Sequence, residues 1–150
     1  MATLEGEDGF FSEEELLQTE YIDVDDYGFY ISSIDGIHYF QNLKNLDCGN
    51  ALVAPETVFP DSVEMLNLSN CGMTELPALP QNLKVLKCNA NHLTELPPLP
   101  KDLKELYCSQ NKLTAMPVIP EGVEILDVSM NPIKQADTAN LPSSLISRTR

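Results

Sequence analysis

The sequence predicts a solenoid: short coils stacked in register, parallel strands along one wall and extended limbs along the other. Three observations predict it. Apolar residues return every 20 positions over residues 63–134, an Asn returns with them in the later periods, and a doubled Leu-Pro-type step closes the unit. A coil this short cannot bury its apolar edge alone, so neighbours must share one core.

The first element is an acidic N-terminal segment with a capping helix, residues 1–21. Residues 1–43 hold eleven of the 23 acids and no Lys or Arg. Ser12 is a natural N-cap, with Glu15 at the capping-box position and acids in the first turn. Phe10, Phe11, Leu16 and Leu17 are expected to cover the open end of the first coil, because a solenoid's last apolar edge needs a cap. The start of the chain lacks the basic and apolar regions of a cleavable secretory signal.

The solenoid is expected over 22–150, as about six coils with the last one incomplete. Ile22-Asp-Val24 opens it, and the apolar rhythm Ile31, Ile34, Ile37, Phe40, Leu43 continues it. Leu43-Lys-Asn-Leu46-Asp-Cys48 begins the first regular unit, whose second half, Ala54-Pro55 to Phe59-Pro60, is degraded. Then come Val63-Glu-Met-Leu66-Asn-Leu68, Leu83-Lys-Val-Leu86-Lys-Cys88, Leu103-Lys-Glu-Leu106-Tyr-Cys108 and Val123-Glu-Ile-Leu126-Asp-Val128. Because side chains alternate along a strand, the central Leu and the residue two later both face inward. Six such strands make a sheet roughly 25–30 Å long.

After each strand comes a polar turn. Asn91, Asn111 and Asn131 stand five residues after Leu86, Leu106 and Leu126. An amide there can satisfy backbone groups left unpaired at the strand ends, coil after coil. Cys71 occupies the same column, and Ala51 the one before, with Asn50 beside it. The return limbs follow: Leu76-Pro-Ala-Leu79-Pro80, Leu96-Pro-Pro-Leu99-Pro100 and Met116-Pro-Val-Ile119-Pro120. Proline fixes φ and donates no hydrogen bond, so these limbs read as extended chain. Extended chain covers more distance per residue than helix, which accounts for the short period. Written once, the unit is L-x-x-L-x-C/L-x-x-N-x-L-T-x-L-P-x-L-P-x-x, a leucine-rich repeat at the short end of its class. Leu141-Pro142-Ser143-Ser144-Leu145-Ile146 begins one more unit, which lacks the second Leu and the Asn.

Composition and motifs exclude several functions. A net charge of −14 has the wrong sign for phosphate neutralisation, so nucleic acid is not an expected partner. No stretch has the ~20 consecutive apolar residues of a membrane helix. Cys48, Cys88 and Cys108 interchange with Leu68 and Val128, which marks them as small buried apolar residues and not ligands. Asp23-Val-Asp25-Asp26-Tyr27-Gly28 opens like a calcium loop, but its twelfth position is Ile34 and not Glu. His38 and His92 have no Ser, Cys or carboxylate partner in any catalytic spacing. No cofactor, metal or catalytic residue is therefore expected, and the chain reads as a non-enzyme.

Function is left to the exposed side of the strands, where the repeat ceases to dictate side chains. Met65, Val85, Glu105 and Ile125 occupy one concave column, and Lys87, Tyr107 and Asp127 the next. Met130 follows in the turn. These eight are the expected partner-binding residues, with Tyr107 as an anchor. The apolar ones exceed what solubility requires, and exposed apolar residues in a row are interface candidates.

The run from Leu76 to Leu126, with its repeated L-P-x-L-P-x-x-L-x-x-L-x-x-x-x-N-x-L-T, resembles bacterial leucine-rich-repeat effectors of the YopM and IpaH type. The segment from Ile31 to Cys48 is similar instead to internalin-like surface repeats, which share L-x-C strands. The first resemblance implies a protein binder, secreted without a cleavable signal and acting on a host protein in the host cytoplasm. A substrate-recognition domain of a larger effector, such as a ubiquitin ligase, is a second reading, and a secreted or surface adhesion protein a third. No catalytic Cys of the ligase type is matched here, since Cys108 lies inside a repeat.

Overall fold

The computed structural model describes residues 12–24, 34–134, 141–143, 145 and 147–149, the last three by backbone only. Its sheet holds seven parallel strands in chain order: β1 (Tyr21–Asp23), β2 (Asn45–Asp47), β3 (Met65–Asn67), β4 (Val85–Lys87), β5 (Glu105–Tyr107), β6 (Ile125–Asp127) and β7 (Ser147–Thr149). Each strand pairs with the next, and the central residues Ile22, Leu46, Leu66, Leu86, Leu106 and Leu126 stand side by side. The leucine-rich-repeat solenoid expected from the repeat is the fold observed.

The core is one continuous spine. Leu43, Val63, Leu83, Leu103 and Val123 form one fully buried row, and Leu46, Leu66, Leu86, Leu106 and Leu126 a second. Cys48, Leu68, Cys88, Cys108 and Val128 form a third row, and Leu93 and Leu113 close the core from the far side. All four cysteines are free. Burial drives the Cys48 and Cys88 thiols well above their ordinary range and pushes Cys108 up to about 12, so all three stay protonated. The return limbs contain neither helix nor strand, consistent with their prolines.

Each coil enters its strand through the same turn. The N–H groups of Val63, Leu83, Leu103, Val123 and Leu145 donate to the carbonyls of Pro60, Pro80, Pro100, Pro120 and Pro142 at 3.1–3.3 Å. Leu43 makes the equivalent bond to Phe40. The irregular coil before it carries a 3₁₀ turn, Ile37–Tyr39, entered through Gly36 at φ 91°. Ile34, Ile37 and Phe40 are buried there. Their three-residue spacing is the period of a 3₁₀ helix, whose side chains eclipse at i and i+3.

Two sequence expectations change. The seventh strand extends the sheet beyond the six expected, with Ser147 opposite Ile125. Aligned on Pro142-Ser-Ser-Leu145, the last unit matches Pro120-Glu-Gly-Val123, so Leu145 takes the first Leu position and the strand follows two residues later. The cap also differs. Helix α1 (Glu13–Gln18) has the expected capping box, the Ser12 hydroxyl accepting from Glu15 N–H at 3.2 Å and the Glu15 carboxylate from Ser12 N–H at 2.7 Å. Leu16 packs partly on the core, while Leu17 is 47% exposed. Adjacent helical residues point about 100° apart, so one short helix turns only one of the two inward. Phe10, Phe11, Ile31, Asp25 and Asp26 lie outside the described residues.

Candidate functional site

The concave wall is built by strands only three residues long. In every strand from β2 to β6 the central residue is buried and its two neighbours are half-buried. The neighbours therefore form two columns across the sheet. One runs Tyr21, Asn45, Met65, Val85, Glu105, Ile125, and the other Asp23, Asp47, Asn67, Lys87, Tyr107, Asp127. Seven of the eight expected binding residues stand in these columns as direct neighbours: Met65 beside Val85, Val85 beside Glu105, Glu105 beside Ile125, and Lys87 beside Tyr107, which adjoins Asp127.

Met130 is placed differently. It sits in the turn after β6 with φ 56° and is 72% exposed. The same left-handed conformation recurs at Asn50, Asn70, Ala90 and Gln110. At those four positions it turns the backbone so that the N–H donates to the neighbouring coil at 2.9–3.0 Å, as Asn70 does to Asn89 and Ala90 to Ser109. The ladder thus continues past the strands. Asn tolerates positive φ, whereas Ala, Gln and Met give no such signal in a sequence.

Polar side chains on this wall are tied to one another. Asp47 accepts from Gly49 N–H at 2.9 Å and from the Asn67 amide at 2.8 Å, and Asn89 accepts from Ser109 N–H and hydroxyl at 2.9 Å. Asp127 accepts from Ser129 N–H at 3.0 Å. The Tyr107 hydroxyl donates to one Glu105 oxygen at 2.8 Å. That bond, then partial burial and the nearby charges of Glu105 and Asp127, hold the Tyr107 phenol above its ordinary value. Among the described residues, Lys87, Glu105 and Asp127 form no ion pair.

One edge of the wall carries a charge ladder that the repeat did not announce. Glu64 lies between Lys44 at 3.4 Å and Lys84 at 2.6 Å, and Lys104 faces Glu124 at 3.5 Å. The Lys84 hydrogen bond chiefly, with Lys44, holds the Glu64 carboxyl below the usual range. These residues immediately precede the strands, so the 20-residue register alone brings them together.

The Asn column underlies the turns. The Asn91 amide donates to Leu68, Cys88 and Asn89 carbonyls at 2.8–3.2 Å, and its oxygen accepts from Cys71 and Met73 N–H at 3.1 and 3.0 Å. Asn111 and Asn131 repeat the three donor bonds one and two coils on, and their oxygens each accept one N–H, from Leu93 and Leu113 at 3.0 Å. Cys71 copies half of it: its thiol donates to Cys48 O at 3.2 Å and Ser69 O at 3.5 Å. Burial pushes this thiol up to about 11, keeping its proton available as donor.

Two shallow clefts, of about 320 and 230 Å³, lie on the return limbs and share Ile34, Asp35, Glu56 and Thr57. They are remote from the strand columns in the coil. Among the described residues, no three His, Cys, Asp or Glu side chains converge to hold a metal, and no helix is long and apolar enough to cross a membrane.

No protein-family model and no curated protein sequence matches the chain. Solved structures do. The leucine-rich-repeat domain of a Shigella effector superposes with a TM-score of 0.66 at 28% identity, over 77% of this chain and 57% of that one. YopM from Yersinia enterocolitica WA-314 superposes with a TM-score of 0.53 at 28% identity, over 71% of this chain and 28% of that one. The chain thus spans less than two thirds of either protein.

Proposed function

We propose that this chain, whose repeat and fold are those of bacterial leucine-rich-repeat effectors, is a protein-interaction module that binds a protein partner on its concave strand face. One observation carries the reading. Scaffold demands fix the inward rows, the Asn column and the entry turns, whereas the two concave columns vary freely and still present Met65, Val85, Ile125 and Tyr107 half-exposed and adjacent. A half-exposed apolar row on a rigid sheet favours docking. Tyr107 is fixed by its bond to Glu105, which lowers the entropy lost when a partner closes on it. The similarity to a Shigella effector domain supports a bacterial effector acting on a host protein in the host cytoplasm.

The test compares capture of a partner from host-cell lysate by the intact chain and by the Tyr107→Ala/Ile125→Ala/Met130→Ala variant. A protein retained by the first and lost by the second is the expected result. Equal retention by both would put the interface elsewhere. A translocation reporter fused to the full-length gene product tests the compartment, and a reporter confined to the bacterium would refute it.

A further inference from the structure

The first concave column is an apolar row broken by one carboxylate. Met65 and Val85 stand on one side of Glu105, and Ile125 on the other. One Glu105 oxygen takes the Tyr107 hydroxyl bond, and among the described residues no cation pairs with the carboxylate. Lys87 is in the other column, opposite Tyr107. A partner that covered this row with apolar side chains alone would strand a charge beneath it, which is strongly unfavourable. A partner cation at that one place would pair with it, and the same row would then discriminate by charge.

The spacing of the row also selects the shape of the partner. Strands repeat about every 4.8 Å along the sheet, close to the roughly 5.4 Å rise of one helical turn. Ten residues of helix rise about 15 Å, and the three strand steps from Met65 to Ile125 cover about 14 Å. A helix lying along the solenoid axis would set residues i, i+3, i+7 and i+10 over Met65, Val85, Glu105 and Ile125. An extended strand, with same-side residues about 6.7 Å apart, would lose this match within two coils.

Resting on the docking role proposed above, we infer that the concave face recognises an amphipathic helix with aliphatic residues at i, i+3 and i+10 and an Arg or Lys at i+7, the cation pairing with Glu105 between Val85 and Ile125. The wider wall favours the same sign, since Asp47 and Asp127 flank the row and Lys87 is the one cation in either column among the described residues.

The test uses three helix-stapled synthetic peptides of about 18 residues, long enough to span the row. They carry Leu at i, i+3 and i+10 and differ only at i+7, which is Arg, Gln or Glu. Keeping the rest constant and near neutral separates this contact from general attraction to the acidic N-terminal segment. Affinity is measured by titration with the full chain, and the site by shifts of backbone amide signals in β3 to β6. The expected order is Arg, then Gln, then Glu, with about tenfold or more between the first and last. Glu105→Arg should reverse that order. Glu105→Gln, a milder change, should bring the Arg and Gln peptides level and serves where the reversal fails to fold. An Arg peptide that binds no tighter than the Gln peptide overturns the inference. So does an order unchanged in the Glu105 variants, or no binding by any of the three. Strand amides that shift without a charge order remove the chemistry and leave the docking face standing. Loss of the docking face itself is read from the lysate capture above.

Discussion

Cys71 stands where three later coils carry Asn, and its thiol performs the donor half of the amide's work. Asn111 both donates to three carbonyls and accepts from Leu93 N–H, with all but the Ser109 bond buried. Its loss would leave that buried N–H without a partner and take one bond from each of the three carbonyls, which keep the Asn91 amide, the Asn131 amide and Ala90 N–H as donors. Asn111→Ala should therefore cost about 2–4 kcal/mol of unfolding free energy. Cys71→Ala should cost less, about 1 kcal/mol, because Cys48 O keeps its bond from Ala51 N–H. Urea titrations of the two variants check the ordering. Tyr107 gives a second prediction. Its raised folded value favours the protonated phenol, so that contribution is present below the ordinary value near pH 10 and is lost as pH rises through the folded one. Phenolate absorbance in the native chain should show Tyr107 titrating late, and Glu105→Gln should bring it earlier. The Asn column was legible because identical residues recur at a fixed offset. The Tyr107–Glu105 bond was not, since two residues of one strand reveal nothing of how their side chains turn.

Two elements recur from coil to coil, the entry turn and the left-handed exit, and they differ in how plainly a sequence shows them. Pro-x-x-Leu or Pro-x-x-Val marks the entry turn at Pro60, Pro80, Pro100, Pro120 and Pro142, and it also flags the last strand. That strand is masked in the sequence because Leu141 mimics the start of the unit and Arg148 occupies the second Leu position. The exit turn shows itself only at Asn50 and Asn70, because Ala90, Gln110 and Met130 carry no preference for positive φ. A β-branched residue there is strongly disfavoured. Ala90→Val should cost about 1–3 kcal/mol, whereas Ala90→Gly should stay within about 0.5 kcal/mol, lower strain offsetting a freer unfolded chain. Thermal melts of the pair distinguish backbone strain from a packing effect, which would penalise Gly as well.

At the scale of the whole molecule, each described strand packs chiefly on its neighbours in the sheet, so stability is a chain of nearest-neighbour interfaces. Interior coils have two such interfaces and end coils one. Native-state hydrogen exchange should be slowest for amides in β3 to β5 and fastest in β1 and β7. A flat protection profile would contradict the stacking. Leu106, fully buried at the middle of the spine, should cost about 2–5 kcal/mol when changed to Ala and lower protection across the strands on both sides. The excess negative charge and the concave row act at this scale too. In the proposed docking, long-range attraction would bring a cationic partner near, and the rigid row would set where it docks.

The period, the two inward strand positions, the Asn ladder and the extended limbs are all written in the order of the residues. Each of these is a single-residue requirement repeated along the chain: an apolar side chain for a buried site, an amide for stranded backbone groups, a proline where no N–H is needed. Which side chains touch across coils emerges only in the folded chain. Folding joined Lys44, Glu64 and Lys84 along one edge, set Lys104 against Glu124 and added β7 beside β6. Those pairings link residues about twenty positions apart, and only the strand register and the turn geometry bring them within reach of one another.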